Sequence, residues 1–393
     1  VKAQYIFGKK FMNQTSQPNV AALVEQLLSE AIRYGASDVH FEPTAKSLLV
    51  KFRLDGSLNT VETLPKAISE NIIARLKVLA GLLTYRNDIP QEGRMEGFKD
   101  ISVASEAGTI TDLRLAVFPT IYGQRAVVRI FYENRGLMQL DELGLNDFIE
   151  SALRKFACRN QGILLLTGPA GSGKSTTLAA LLRYILQQFP GNSIVTLEDP
   201  VERAIEGITQ VQIEPQGQMS FPMALRSLLR QDPQVLMIGE IRDAETARIA
   251  VEAGLTGHLL MTTMHSGSCS GALLRLLEMG IEPYQVTSGI HAVLNQRLVR
   301  KLCDSCKRQL PDGAYEAVGC SRCHMTGYHG RVLIAEMVEL DGMLRKAILD
   351  RSDMETLDAI LASRGHMNLM HDGRRLVSRG ITTEDEIRRV CGV

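Results

Sequence analysis

An α/β fold with a mostly parallel sheet, preceded by a small α+β domain, is the architecture that the 393-residue sequence predicts. Three observations carry it. From Gly162 onward the apolar runs ILLLTG, SIVTLEDP, VLMIGE and HLLMTTMH alternate with glycine turns and helical stretches, as short buried strands joined by crossover helices do. The glycine-rich run GPAGSGKS lies between the first of those strands and the helix that follows it. Upstream, residues 19 to 133 mix helical and strand-like runs without that alternation and without a catalytic motif of their own.

Taken in order, residues 1 to 18 are polar and without period, and are expected to be flexible. Val20, Leu23, Val24, Leu27, Leu28 and Ala31 then recur at helical spacing until Gly35 offers a stop. SDVHFEP and LLVKFRLDG read as strands, and Ile68, Ile72, Ile73, Leu76 and Leu79 mark a second helix after Pro65. LRLAVFPT and AVVRIFY read as further strands, after which residues 134 to 147 form a linker. The sequence carries no internal repeat and no low-complexity tract.

Charge is balanced, 44 basic against 44 acidic residues, so no global field draws the chain to nucleic acid or anionic lipid. No apolar run approaches the roughly 18 residues that span a bilayer, and the opening VKAQYIFGKK lacks the apolar core of a signal peptide. A cytoplasmic location is expected. Val1 in place of Met suggests that the numbering starts inside a longer natural chain. Of seven cysteines, four form two C-x2-C pairs, which suits a metal site in a reducing compartment; Cys158, Cys269 and Cys391 are expected to be unpaired thiols.

The run from Gly168 through Pro169, Ala170, Gly171, Ser172, Gly173 and Lys174 to Ser175 fills the pattern G-x-x-x-x-G-K-[ST], with Thr176 opening the helix. Its glycines let successive backbone N–H groups face one anion, and the helix adds its positive end. This predicts nucleotide binding, with Lys174 on the β and γ phosphates and the Ser175 hydroxyl on magnesium. Three further strand ends carry polar residues where ligands bind in open α/β sheets. Glu240 ends VLMIGE and would hold magnesium or orient water, or cap the helix of IRDAETARIAVEAG, or both. Glu198 and Asp199 end another strand, and His265 a fourth. His258 begins its strand and reads as a buried, hydrogen-bonded residue, so His265 is the better catalytic candidate.

Cys303, Cys306, Cys320 and Cys323 give C-x2-C-x13-C-x2-C, two knuckles that present four thiolates for a closed, structural zinc site. His324 or His329 could replace one cysteine.

Together GPAGSGKS, TLEDPVE, LRQDPQVLMIGEIRDAET and GHLLMTTMH, in this order, resemble the four nucleotide motifs of the type II secretion and type IV pilus assembly ATPases. SDVHFEP, QEGR, GIEPYQV, QRLVRKLC and GYHGR extend the likeness over nearly everything from residue 20 onward. The resemblance implies a PAS-like domain over residues 19–133, a RecA-like ATPase core over 148–300, a zinc lobe over 301–330 and a C-terminal helical part over 331–393. It implies ATP, ADP, Mg2+ and Zn2+ as ligands, with Glu240 activating water, Glu198 supporting the metal and water network, and His258 and His265 matching the histidine motif. It further implies that Arg114 and Arg129, from the first domain, reach the nucleotide. A homo-hexamer is implied, peripheral to the inner membrane through a platform protein and a membrane-anchored adaptor, with no nucleic acid; the zinc element favours assembly over disassembly of pilin-like subunits. Two positions depart from the family: Gln234, where Asp is common, which suggests slower hydrolysis, and HSG at 265–267, where His-Thr-Asn is common. A DNA-translocating or helicase-like motor is the alternative, opposed by the neutral charge and the absence of Trp. A scaffold that binds ATP and barely hydrolyses it, suggested by Gln234, is a third.

Overall fold

The computed structural model describes residues 19–96, 108–133, 139–214, 217 and 219–392. The segment expected to be flexible, 1–18, and residues 134–138 of the expected linker lie outside the described residues. The chain divides into two compact units, residues 1–136 and 137–393.

The first unit opens with helix α1 (Val20–Arg33), where the Asn19 side chain accepts from the backbone N–H groups of Ala21 and Ala22. Strands β1 (Asp38–Pro43), β2 (Ser47–Leu54) and β3 (Ser57–Pro65) follow, then α2 (Ser69–Leu79), β4 (Gln91–Arg94), β5 (Thr109–Thr120) and β6 (Gly123–Glu133). They form a six-stranded sheet in the order β3-β2-β1-β6-β5-β4, antiparallel at every pairing. Alternation sets its two faces. Leu113, Leu115 and Val117 of β5 join Leu48, Val50 and Phe52 of β2 in a core with α1 and α2, while Arg114 lies on the opposite face.

The second unit is built on a seven-stranded sheet. Its elements are α3 (Asp147–Ala157), β7 (Gly162–Thr167), α4 (Lys174–Gln188), β8 (Ile194–Glu198), β9 (Thr209–Gln212), α5 (Phe221–Leu228), β10 (Val235–Ile238), α6 (Ala244–Leu255), β11 (Leu259–Met264), α7 (Cys269–Glu278), α8 (Pro283–Gly289) and β12 (Ile290–Leu302). A small ribbon, β13 (Arg308–Gln309) with β14 (Tyr315–Glu316), precedes β15 (Tyr328–Glu339), α9 (Gly342–Leu349), α10 (Met354–Ser363), α11 (Leu369–Ser378) and α12 (Glu384–Cys391). The sheet order is β15-β12-β7-β11-β10-β8-β9, parallel from β12 to β9 and antiparallel only where β15 joins β12. β7, β10 and β11 are buried at every residue, which is why they read as continuous apolar runs. Two apolar clusters cover the faces, one on the α5, α6 and α7 side and one on the α3 and α4 side.

The stretch expected to be helical, 331–393, begins instead as a long strand. β15 runs to Glu339 and pairs with β12 from Arg331 through Glu339. Its polar residues anchor the helices that follow. Glu336 accepts from the backbone N–H of Leu369 at 3.3 Å, and Asp372, buried at the start of α11, accepts from the Ala335 N–H at 2.9 Å. Glu386 of α12 is 1% exposed and accepts from Arg300 Nη2 at 2.7 Å, Arg389 Nη2 at 2.6 Å and the Arg300 backbone N–H at 3.0 Å. Burial alone would raise its pKa; the hydrogen bonds of Arg389 and Arg300 outweigh that and hold it at about 2, against an ordinary 4.5. A depressed carboxylate contributes stability above its unfolded pKa and loses it as pH falls through the folded one. Glu386→Gln is therefore expected to cost on the order of 2 kcal/mol at pH 7. In urea unfolding, the gap between wild type and variant should close between pH 4.5 and 2.

Candidate nucleotide and metal sites

The phosphate loop leaves β7 at Thr167 and enters α4 at Lys174. Gly168 has φ of 140°, and a Cβ there would stand 2.5 Å from the Gln296 carbonyl oxygen, so the loop can turn only on glycine. Pro169, Ala170 and Gly171 are exposed at its crest, whereas Ser172 is 3% exposed and its Oγ makes no hydrogen bond among the described residues. Lys174 Nζ donates to the carbonyls of Gly168 at 2.8 Å and Pro169 at 3.0 Å. Burial, with Arg297 nearby, pulls its pKa below the ordinary lysine value against the opposing charges of Glu240 and Glu202. Ser175 is exposed in the first turn of α4, with Thr176 half-buried beside it. A glycine-only turn, an unpaired buried hydroxyl, a lysine and the N–H groups of a helix start together fit a phosphate chain.

The loop is held from the side by β12. Asn295 lies in register with Thr167, which places Asn295, Gln296 and Arg297 against it. Gln296, fully buried, donates from Nε2 to the Ser172 carbonyl at 2.9 Å. Asn295 Nδ2 and Arg297 Nη2 each donate to the Gly267 carbonyl at 3.0 Å, and Thr167 Oγ1 donates to the Ser266 carbonyl at the same distance. Thus the phosphate loop and the HSG turn share one set of partners. QRLVRKLC was legible as a family motif, but its side-chain role depends on this register.

At the neighbouring strand ends Glu240 gives one carboxylate oxygen to Arg242 Nε and has the other 3.3 Å from His265 Nε2. Arg242 Nη1 also donates to Asp199 at 3.1 Å. Arg242 therefore joins Glu240 to Asp199, and Glu240 in turn meets His265; Arg242 is a residue that sequence reasoning passed over although it lies inside the IRDAET stretch. The meeting depends on Thr263, whose Oγ1 donates to the Gly239 carbonyl at 2.7 Å and whose own carbonyl accepts from the Ile241 N–H at 2.9 Å. Glu198 faces differently: its Oε1 accepts from Thr196 at 2.6 Å and Gln210 at 3.0 Å. Glu202, in the same TLEDPVE motif, is the second acid whose charge reaches Lys174. His258 lies at the opposite end of β11, with Nδ1 3.1 Å from the Ala253 carbonyl.

Gln234 stands at the amino end of β10. Its Oε1 accepts from the Ser193 N–H at 2.7 Å and its Nε2 donates to the Asp232 carbonyl at 3.1 Å. Those bonds tie the entries of β8 and β10, a whole strand away from Glu240. Arg114 and Arg129 belong to the first unit, where they are direct cross-strand neighbours on β5 and β6.

The tetracysteine element connects β12 to β15. Sγ–Sγ distances are 3.8 Å for Cys303–Cys320 and 3.7 Å for both Cys306–Cys323 and Cys320–Cys323. A zinc ion bonded at about 2.3 Å to four sulfurs at tetrahedral angles separates them by about 3.8 Å, so the donor set fits zinc. The backbone N–H groups of Cys320 and Gly327 donate to Cys323 Sγ at 3.1 and 3.3 Å, as supports of a ligating thiolate do. The cluster consists of the four cysteines alone; neither His324 nor His329 joins it. Among the described residues no helix is long and apolar enough to cross a membrane.

A model of the family described as type II/IV secretion system protein matches residues 13–389. The putative type II secretion system protein E of Escherichia coli is 40% identical over 400 residues, covering 98% of this chain and 79% of that protein. The type II secretion system ATPase E of Vibrio cholerae is 38% identical over 387 residues, covering 94% and 75%. The type IV pilus assembly ATPase PilB of Thermus thermophilus is 38% identical over 385 residues, covering 93% of this chain and 42% of that one. Among solved structures, the ATPase DotB of Yersinia pseudotuberculosis matches the fold with a TM-score of 0.68 at 23% identity, over 97% of this chain and 96% of that one. The chain belongs to the type II/IV secretion system protein family.

Proposed function

We propose that this chain, an ATPase of that family, works as a homo-hexamer in which hydrolysis at each phosphate loop drives assembly of pilin or pseudopilin subunits. The observation that carries this reading is the network of Glu240, Arg242, Asp199 and His265 at the strand ends, in a sheet whose phosphate loop only glycine can turn, with the charge of Glu240 acting on Lys174. In it Lys174 and the loop N–H groups would hold the phosphates of ATP, and Ser175 would hold Mg2+, which would supply positive charge to the phosphate oxygens. Glu240, fixed through one oxygen by Arg242 and flanked at the other by His265, orients the attacking water. Glu198, braced by Thr196 and Gln210, supports that network from the adjacent strand end, that of β8.

Arg114 and Arg129 supply positive charge to the nucleotide of a neighbouring subunit, which makes turnover depend on assembly. The first unit, residues 19–133, acts as the moving arm on the expected linker at 134–147, whose later part is anchored by Leu140, Leu143 and Leu145 buried in the core of the second unit. Work passes to a platform protein in the inner membrane, with a membrane-anchored adaptor holding the ring there. Zinc at the four cysteines closes the lobe between β12 and β15.

Three outcomes test this. Glu240→Gln is expected to lower steady-state phosphate release about 100-fold or more while ATP binding by equilibrium titration stays within a few-fold. A variant with full turnover would move the chemistry elsewhere. Gln234→Asp should leave kcat within about twofold, because the side chain acts at the strand entries; a large gain would show that Gln234 limits hydrolysis. Elemental analysis should find one zinc per chain. Chelation should then raise hydrogen exchange over residues 303–327 while β7, β10 and β11 stay protected, and a metal-free protein with the same exchange would refute the zinc staple.

A further inference from the structure

The first unit carries motifs that the nucleotide site does not use, SDVHFEP and QEGR among them, and both lead to one row of charges. Across the exposed face of its sheet, Arg94 of β4 pairs in register with Arg114 of β5, Arg114 with Arg129 of β6, Arg129 with Asp38 of β1, and Asp38 with Arg53 of β2. Four arginines thus occupy one cross-strand line. Like charges directly opposite each other destabilise a sheet, so the line needs a reason.

Two aspartates serve it, Asp38 from within the line and Asp112 from two residues before Arg114 on β5, where it lies in register with Phe131. Asp112 gives Oδ1 to Arg94 Nε at 2.6 Å and Oδ2 to Arg114 Nε at 3.1 Å. Asp38 gives Oδ1 to Arg129 Nε at 3.0 Å and Oδ2 to Arg53 Nε at 3.2 Å. Each acid therefore bridges an inner and an outer arginine, Asp112 joining Arg114 to Arg94 and Asp38 joining Arg129 to Arg53. Both inner arginines are held through Nε, and their Nη groups make no hydrogen bond among the described residues. Those Nη groups form the edge that grips phosphate oxygens. Arg114 is steadied further by the Phe131 ring, 5.0 Å from its guanidinium carbon.

The outer anchors are themselves built in. Arg53 also donates from Nη1 to the Gly56 carbonyl at 3.2 Å. Arg94 is placed by the rest of QEGR: Gln91 donates to the carbonyls of Leu83 at 3.2 Å and Arg86 at 2.8 Å and accepts from the Leu83 N–H at 3.0 Å. Gly93 lets β4 lie close to the end of α2, where a Cβ would stand 2.6 Å from the Ala80 carbonyl oxygen. Lys77, fully buried, donates to the Arg86 carbonyl at 2.6 Å and closes the same turn. Burial by itself would raise the pKa of both aspartates; their arginine partners, with Ser37 also bonded to Asp38, more than offset it and keep both below the ordinary value.

We propose that Asp112 and Asp38 are positioning residues that aim Arg114 and Arg129 at the nucleotide, and that Arg94 and Arg53 are the outer anchors that hold those carboxylates in line. This rests on the reading that the two inner arginines reach a bound nucleotide. The gap between the two inner guanidinium edges, Arg114 and Arg129, is then the seat of the terminal phosphate.

The test is ATP titration of full-chain wild type, Asp112→Asn, Asp38→Asn, Arg94→Ala and the Arg94→Ala/Asp112→Asn pair, with thermal unfolding on the same samples. Each Asn variant is expected to lower kcat about 10- to 100-fold, with KM for ATP within about threefold, in protein that thermal unfolding shows to be folded at the assay temperature although the loss of a depressed carboxylate lowers its midpoint. Arg94→Ala should lose less, and the pair should be no slower than Asp112→Asn, because Arg94 acts only through that carboxylate. Asn variants with wild-type kcat, beside an Arg114→Ala control that has lost it, would overturn the positioning role while leaving the nucleotide contact standing. Wild-type turnover in both Arg114→Ala and Arg129→Ala would remove the contact itself, and the inference with it.

Discussion

The register of β12 against β7 is the constraint on which the second unit depends. It sets Asn295 opposite Thr167, and so brings Asn295, Gln296 and Arg297 to the flank of the phosphate loop. Shifting that pairing by one residue would turn each of these side chains to the other face of the sheet. Gln296 would lose the Ser172 carbonyl, and Arg297 the Gly267 carbonyl that links the loop to the HSG turn. The loop is thereby held against a fixed wall, and its conformation does not depend on its own residues alone. The same strand, paired on its other side with β15, carries the Glu386 ion pairs and leads into Cys303. One strand thus connects the nucleotide loop, the cysteine lobe and the C-terminal helices.

The two units present their polar side chains along lines that their sheets make natural. A parallel sheet gathers the carboxyl ends of β7, β8, β10 and β11 at one edge, where loops can converge on a ligand. An antiparallel sheet covered on one face leaves the other free to display a row of side chains in register. The first unit uses that freedom for Arg114 and Arg129, each held through Nε by an aspartate of its own sheet, Asp112 and Asp38. The cysteine lobe differs again: its ribbon of β13 and β14 pairs only Arg308 with Glu316 and Gln309 with Tyr315. A connection with so little sheet of its own is where a metal staple contributes most.

Much of this was legible in the sequence because local chemistry demanded it. The phosphate loop is specified by glycines with no substitute, and the cysteine knuckles by spacing. The buried strands β7, β10 and β11 announce themselves as unbroken apolar runs. What escaped depends on pairing between distant segments. β15 lay in a stretch expected to be helical, since its alternation is masked where both faces are covered. Arg242, Glu202 and Arg297 stood inside motifs already noted, yet nothing in the order of residues says that Arg242 bridges Asp199 and Glu240. Gln234 invited a kinetic reading from its departure at a family position; its bonds to Ser193 and Asp232 show that it serves the strand entries. The arginine row is likewise invisible until five strands are laid side by side.

The central claim is that one chain's phosphate loop and another chain's Arg114 and Arg129 complete a single site. Mixing two inactive variants tests it most directly. Lys174→Ala chains lack the loop contact and keep the arginines, while Arg114→Ala/Arg129→Ala chains have the reverse. After co-assembly from dissociated subunits, phosphate release should rise well above that of either parent assembled alone. A mixture as inactive as its parents, with mixed assembly shown by mass spectrometry, would contradict a site shared between chains.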